Sequence, residues 1–234
     1  IGTIFTTHAT MLGRSLSSTG KLPADGLAGR TSEEAAVAAG VRSKHSLEGV
    51  CVRQSDVFTT VSQVTADEAE LFFGRRASPL LPNGIDLSVI DALAGDHPRE
   101  AVERQLRDLA WRCTGEDSGD AMLLCTSGRY EFHNKGIDLL LDACARMNAR
   151  PGRRIVLFVL VPAGTSGIKG QLLERLARPA NEARGSIGVS THNLFDAERD
   201  PVQKRCTERG LTNAPGSRVQ VVHVPCYLDT KDGL

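Results

Sequence analysis

Short apolar runs alternate with amphipathic stretches along this chain, and the alternation predicts its elements. Residues 1–7 have the character of a buried strand, and Asp56–Ser62 that of a second. Between them, residues 15–40 are rich in Ser, Gly and Ala and carry a turn signal at Pro23-Ala24-Asp25-Gly26. They read as a loop or weakly ordered excursion. Residues 41–55 can form a helix. Thr65-Ala66-Asp67-Glu68 fits a capping box, with Thr65 at the N-cap and Glu68 three residues on, opening a helix that runs to about Phe73. Pro82-Asn83-Gly84 reads as a tight turn.

The second half follows the same alternation. Val102, Leu106, Leu109 and Ala110 share one face of an amphipathic helix over 97–113. Thr114–Asp120 is polar and reads as a linker, and Met122–Thr126 as a buried strand. After the loop Gly128–Gly136, a helical face collects Ile137, Leu140, Leu141, Cys144 and Ala145. Arg153–Val161 is strongly β-prone and wholly apolar from Ile155, as central parallel strands tend to be. Helix signals recur at 169–177 and 199–209, and Arg218–Val224 predicts another strand. Strand and helix in alternation imply an α/β fold with parallel strands. The pattern stands on both sides of a break, giving a first unit at 1–86, a helical connector at 87–120 and a second unit at 121–234.

Composition narrows the function. Lys+Arg and Asp+Glu are 28 each, and a net charge of zero argues against a nucleic-acid or membrane-surface binder. The longest apolar run, Ile155–Ala163, falls far short of the ~20 residues a bilayer needs. The chain opens on Ile1, with no charged start leading into an apolar core, and reads as a piece of a longer protein. None of the cysteines at 51, 113, 125, 144, 206 and 226 forms a CxxC pair, which disfavours a zinc ribbon or a thioredoxin-type site. Cys125 and Cys144 read as small core residues, and reduced thiols fit a cytoplasmic protein. Nothing marks Cys51, Cys113, Cys206 or Cys226 as reactive. His45 and His97 read as surface helix residues, and His133 is given no role.

Two loops sit where α/β sheets bind ligands, at the carboxyl ends of strands. In Gly128–Gly136, Gly128 lets backbone approach a ligand, and Arg129 offers a planar charged fork suited to phosphate oxygens. Lys135 stands just before Gly136 and a helix N-terminus, where free N–H groups favour anions. Together these groups could hold a diphosphate. On spacing alone Arg129 and Lys135 are equally a pair of solvated loop charges. In His8–Arg14, His8 ends a strand and could bond a sugar hydroxyl, while Arg14 could meet an anion; a lone histidine is more often structural.

The stretches TTHATMLGR, DVFTTVSQVTADEAE, PNGID and SGRYEFHNKGIDLLLDACARMN, in this order, resemble the glycogen synthases of the animal and fungal type and their bacterial relatives. RIVLFVLVPAG, THNLFD and LTNAPGSRVQVV continue the resemblance, which spans nearly the whole chain outside 15–40 and 87–120. It implies the GT-B architecture of two Rossmann-like units, each incomplete here. It also implies a retaining transfer of glucose from UDP-glucose to the non-reducing end of an α-1,4-glucan, without a metal or other cofactor. By the same resemblance His8, Arg14, Gly128 and Gly136 would contact the donor, while Arg129 and Lys135 would neutralise the leaving diphosphate in a cleft that closes on it. Pro82-Asn83-Gly84 falls near the interdomain crossing of the family and reads as structural.

The family's Gly-rich opening loop would lie before Ile1 and its pair of glutamates after Leu234, so the chain is expected to be inactive alone. Where the family has Phe-His-Pro this chain reads His223-Val224-Pro225, so no role passes to His223. Thr191-His192-Asn193 matches a family segment and reads as packing. Other readings stay open: a GT-B transferase with another donor or acceptor, or a non-catalytic paralogue that binds glucan or nucleotide. The 97–113 helix could serve a homo-oligomeric interface.

Overall fold

The computed structural model describes residues 1–95 and 98–228, in two compact units, Ile1–Leu87 and Ser88–Leu234. His97 lies outside the described residues.

The first unit runs β1 (Ile4–Thr7), α1 (Met11–Ser17), α2 (Pro23–Leu27), α3 (Ser32–Ala38), α4 (Arg42–Gln54), β2 (Val57–Thr60) and α5 (Gln63–Phe73). β1 and β2 pair in parallel with Phe5 opposite Phe58 and Thr6 opposite Thr59. The Thr6 and Thr59 hydroxyls meet at 2.7 Å. β1 is not the buried strand expected. It pairs on one side only, so Phe5 packs on the core around Phe58 while Ile4 stays 72% exposed. The stretch Leu80–Leu81 extends the pairing alongside β2, Leu81 N–H donating to Thr60 O at 2.7 Å. The chain continues without a turn through Pro82-Asn83-Gly84, correcting the tight turn expected there. Gly84 has no positive φ, and the pairing just before it has already set an extended course.

Residues 15–40 are helical rather than a loose excursion. Thr31 opens α3 with a capping box: its Oγ1 accepts Glu34 N–H at 3.2 Å, and Glu34 Oε2 accepts Thr31 N–H at 2.9 Å. Ala35 and Ala36 then fit a cluster with Leu12 and Phe72, so small side chains serve close helix packing here. The box expected at Thr65 does not form. Ser62 caps α5 instead, accepting Thr65 N–H at 3.2 Å, which moves Thr65 three residues inside the helix. His45 is buried and not on the surface, because its ring stacks on Phe73 with centroids 4.9 Å apart. Burial pushes its pKa down.

The second unit holds α6 (Leu87–Gly95) from the boundary on, then α7 (Arg99–Thr114), β3 (Met122–Ser127), α8 (Ile137–Asn148), β4 (Ile155–Leu160), β5 (Thr165–Ile168), α9 (Gly170–Leu176), β6 (His192–Leu194), α10 (Pro201–Glu208) and β7 (Val219–His223). β3, β4 and β7 form a parallel sheet in that order, with β4 central. Ile155, Leu157 and Val159 pack with Ile137, Leu141 and Cys144 of α8 and Val202 and Cys206 of α10. Val156 and Phe158 pack on the other face with Ala110 and Cys113 of α7 and Leu172 of α9. Both faces are therefore covered, which the unbroken apolar run at 155–160 requires.

Three further expectations change. β3 is half exposed because only β4 flanks it, and Cys125 faces solvent instead of the core. Thr114–Asp120 is packed and not a free linker. Ser118 is buried and its Oγ donates to Arg107 O, while Arg107 Nη1 donates back to Ser118 O at 2.6 Å. β5 and β6 form a small antiparallel pair that the polar sequence there concealed. Burial pushes the thiols of Cys113 and Cys206 up to about 12, so neither is a nucleophile near neutrality.

Ordered packing of residues 15–40 makes the α3 cap matter. Thr31→Ala is expected to lower stability by about 1 kcal/mol, read by chemical denaturation. No change would mean the segment contributes no fixed structure.

Candidate functional site

The loop that follows β3 is fixed from several sides. Gly128 leaves the strand with φ 145°, and a side chain there would meet no atom within 4 Å, so the backbone lies open. Tyr130 turns inward. Its hydroxyl donates to Asp200 Oδ2 at 2.7 Å and accepts Val202 N–H at 3.0 Å. Asp200 is itself the N-cap of α10, its Oδ1 accepting Gln203 N–H at 2.9 Å. Burial, followed by the Asp200 carboxylate, raises the Tyr130 pKa far above its usual value, so the phenol stays a donor. The Tyr130 ring packs edge-on to His223, centroids 6.0 Å apart. His223 is fully buried and its Nε2 lies 3.3 Å from Val161 O. Desolvation pushes its pKa down, so it belongs to the scaffold as a neutral ring.

At the other end, Gly136 takes the left-handed conformation (φ 64°) that turns the loop into α8, and no side chain caps that helix. His133 Nδ1 meets Asp138 Oδ2 of the first helical turn at 2.7 Å, clipping the loop to α8. The two expected cations stand on this frame. Arg129, its side chain 64% exposed, pairs with Glu131 at 3.0 Å. Lys135 is exposed and makes no ion pair among the described residues. A surface pair of this kind is worth roughly 0–1 kcal/mol, which a multiply charged ligand can displace.

The loop after β1 is fixed differently. His8 lies exposed at the bend beyond the strand. Thr10, fully buried, caps α1: it accepts Gly13 N–H at 3.0 Å and donates to Glu68 Oε2 at 2.8 Å. Glu48 Oε2 accepts Met11 N–H at 2.9 Å. Gly13 is the residue this arrangement demands, because a Cβ there would stand 2.3 Å from Glu68 Oε2 and 2.5 Å from Thr10 Oγ1. Arg14 is exposed on α1 and acts electrostatically on Glu48. Desolvation raises the pKa of both Glu48 and Glu68, outweighing the hydrogen bonds each accepts.

Arg129, Lys135, Gly128 and Gly136 thus share one loop of the second unit, whereas in the first unit His8 sits at the bend after β1 and Arg14 on helix α1, not in the loop expected, because Thr10 caps the helix four residues earlier. Sequence reasoning missed Tyr130, Asp200, Glu48 and Glu68, which hold those loops. Only Tyr130 carried a signal: with Phe132 it alternates aromatic and charged residues in the loop. Among the described residues no group of three or more His, Cys, Asp or Glu could hold a metal ion, and no helix is long and apolar enough to cross a membrane.

A family model, glycogen synthase, matches residues 1–180. Glycogen [starch] synthase isoform 1 of Saccharomyces cerevisiae is 32% identical over 298 residues, taking in 98% of this chain and 42% of the relative. Isoform 2 of the same yeast is 32% identical over 219 residues, 83% of this chain and 30% of the relative. The liver glycogen [starch] synthase of Mus musculus is 26% identical over 299 residues, all of this chain and 41% of the relative. The chain therefore spans less than half the length of these relatives. The yeast isoform 1 match, longer than the 234 residues of the chain, means that the relative carries extra segments inside the matched span.

Two outcomes follow from the loop anchors. Tyr130→Phe strands a buried carboxylate and an amide, and is expected to cost about 2 kcal/mol in denaturant unfolding; an unchanged midpoint would show that the hydroxyl holds nothing. Glu68 has a folded pKa above its unfolded one, so its contribution is intact below the ordinary carboxylate value of 4.5 and is lost as pH rises through the raised folded value. Glu68→Gln should therefore gain thermal stability relative to the parent as pH rises from about 4 to 7. Parallel melting curves across that range would contradict it.

Proposed function

The chain belongs to the glycogen synthase family, and from that premise we propose that it is part of a retaining glucosyltransferase moving glucose from UDP-glucose to the non-reducing end of an α-1,4-glucan. The observation that carries the reading is the loop 128–136: it leaves the carboxyl end of a parallel strand, enters a helix, and presents Arg129 and Lys135 outward on an anchored frame.

The difficulty in this reaction is charge. As the bond between glucose and the nucleotide breaks, negative charge gathers on the departing diphosphate and positive charge on the sugar. Preorganised cations that meet the diphosphate only as it leaves lower the barrier without moving at the moment of reaction. In this reading Arg129 exchanges Glu131 for phosphate oxygens and Lys135 neutralises a second group, so the reaction needs no metal. Gly128 admits the donor's phosphates to open backbone, and Gly136 aims the first turn of α8 at them. His8 and Arg14 bond the donor's sugar and phosphate groups from the first unit. The parallel sheet covered by helices on both faces supports assigning the second unit to a Rossmann-like half of a GT-B enzyme working in the cytoplasm, and the parallel β1–β2 pair fits the first unit as part of the other half.

Arg129→Ala or Lys135→Ala in the whole protein should remove about 3 kcal/mol of transition-state stabilisation. Turnover should then fall by ~10²-fold or more, measured as label passing from UDP-glucose to glycogen. An unchanged rate in either variant would show that the loop does not face the leaving group.

A further inference from the structure

Among the described residues, two aromatic side chains are exposed, Phe195 and Tyr227. Phe195 is 75% exposed, yet its position is fixed. Its N–H donates to Gly164 O at 3.0 Å, and its ring lies so close over Gly164 that a Cβ there would stand 2.8 Å from Cδ2. Gly164 lies in the connection from β4 to β5, where Ala163 N–H donates to Pro225 O at 3.2 Å and ties that stretch to the chain after β7. A groove of about 280 Å³ opens beside it, lined by Tyr130, Gly164, Phe195, Asp196, Arg199 and Asp200.

The groove's chemistry selects its occupant. Asp200 has both oxygens engaged, by Tyr130 and by Gln203 N–H. Among the described residues, the side chains of Asp196 and Arg199 engage only each other: Asp196 Oδ1 accepts Arg199 N–H at 3.2 Å and Oδ2 stands 3.7 Å from Arg199 Nε, with side chains 56% and 89% exposed at the rim, an acceptor and a donor side by side within reach of a ligand. Two carboxylates against one guanidinium repel phosphate and suit a neutral polyol. The volume lies just below the ~300–1,000 Å³ usual for ligand pockets, room for a single ring rather than a whole nucleotide-sugar. An aromatic face with adjacent polar groups can pack on the apolar side of a pyranose while its hydroxyls are bonded at the edge. We propose that this groove is a glucan subsite, in which one glucosyl ring of the α-1,4-glucan lies on Phe195 and bonds Asp196 and Arg199 through its hydroxyls. The inference rests on the glucosyltransferase reading for its ligand. Tyr130 links it to the loop that carries Arg129.

The test compares the whole protein with Phe195→Ala and Phe195→Tyr, titrating each with maltoheptaose and separately with UDP. The ring is exposed, so its removal leaves the fold intact. Maltoheptaose affinity should fall about tenfold in Phe195→Ala and return in Phe195→Tyr. UDP affinity should stay constant, and KM for glycogen should rise with kcat retained. Unchanged maltoheptaose affinity in Phe195→Ala, or no maltoheptaose binding by the parent protein, overturns the proposal. So does a loss confined to UDP, which would make Phe195 a platform for the base. Ring-dependent maltoheptaose binding in a protein that transfers no glucose would leave the subsite standing and remove only the transferase reading.

Discussion

The second unit depends on the burial of β4 on both faces. Its six residues are almost wholly out of water, and an apolar strand of that kind is stable only when neighbours supply its backbone bonds and helices cover each side. β3 and β7 meet the first need, and α7, α8, α9 and α10 the second. One consequence is positional. Parallel strands all end at the same edge, so the loops after β3 and β4 must emerge together, and that edge is where Tyr130, Gly164 and Asp200 come into one neighbourhood.

The first unit has no such strand. β1 and β2 are short, and helices α1, α3, α4 and α5 supply most of its packing through small residues and Phe72. Order in the loop after β1 comes from polar groups instead: Thr10 caps α1, Glu68 accepts the Thr10 hydroxyl and Glu48 accepts Met11 N–H of the first turn. Two half-buried carboxylates are a costly way to hold a helix end, since desolvation works against both.

The strands of the two parallel sheets and most helices were legible because they follow a period that one residue type dominates, whereas the polar β5 and β6 were not. The run Ile155–Leu160 could hardly be anything but a central strand, and α8 shows its buried stripe plainly. What failed depended on partners distant in sequence. The Ala-rich residues 15–40 look like loop until Leu12 and Phe72 are known to lie against them. Ser62 caps α5 although Thr65 with Glu68 showed the fuller capping pattern, because the helix begins three residues earlier than that pattern indicates. In the candidate site, Arg129 and Lys135 stood out by charge and took their expected role from the family resemblance, but the groups that anchor their loop could not be read. Asp200 lies seventy positions from Tyr130, and nothing short-range announces that pairing.

The contact between Arg129 and Glu131 has a consequence for selectivity. Glu131 is tethered two residues away, so it competes for the guanidinium at an effective concentration of order millimolar without ever diffusing off. In the proposed reading, a singly charged anion from solution offers little over this resident carboxylate. A diphosphate brings several charges and reaches beyond Arg129, so it can evict Glu131 where smaller ions fail. In the proposed reading, Glu131 is thus the resident competitor that any anion reaching Arg129 has to displace.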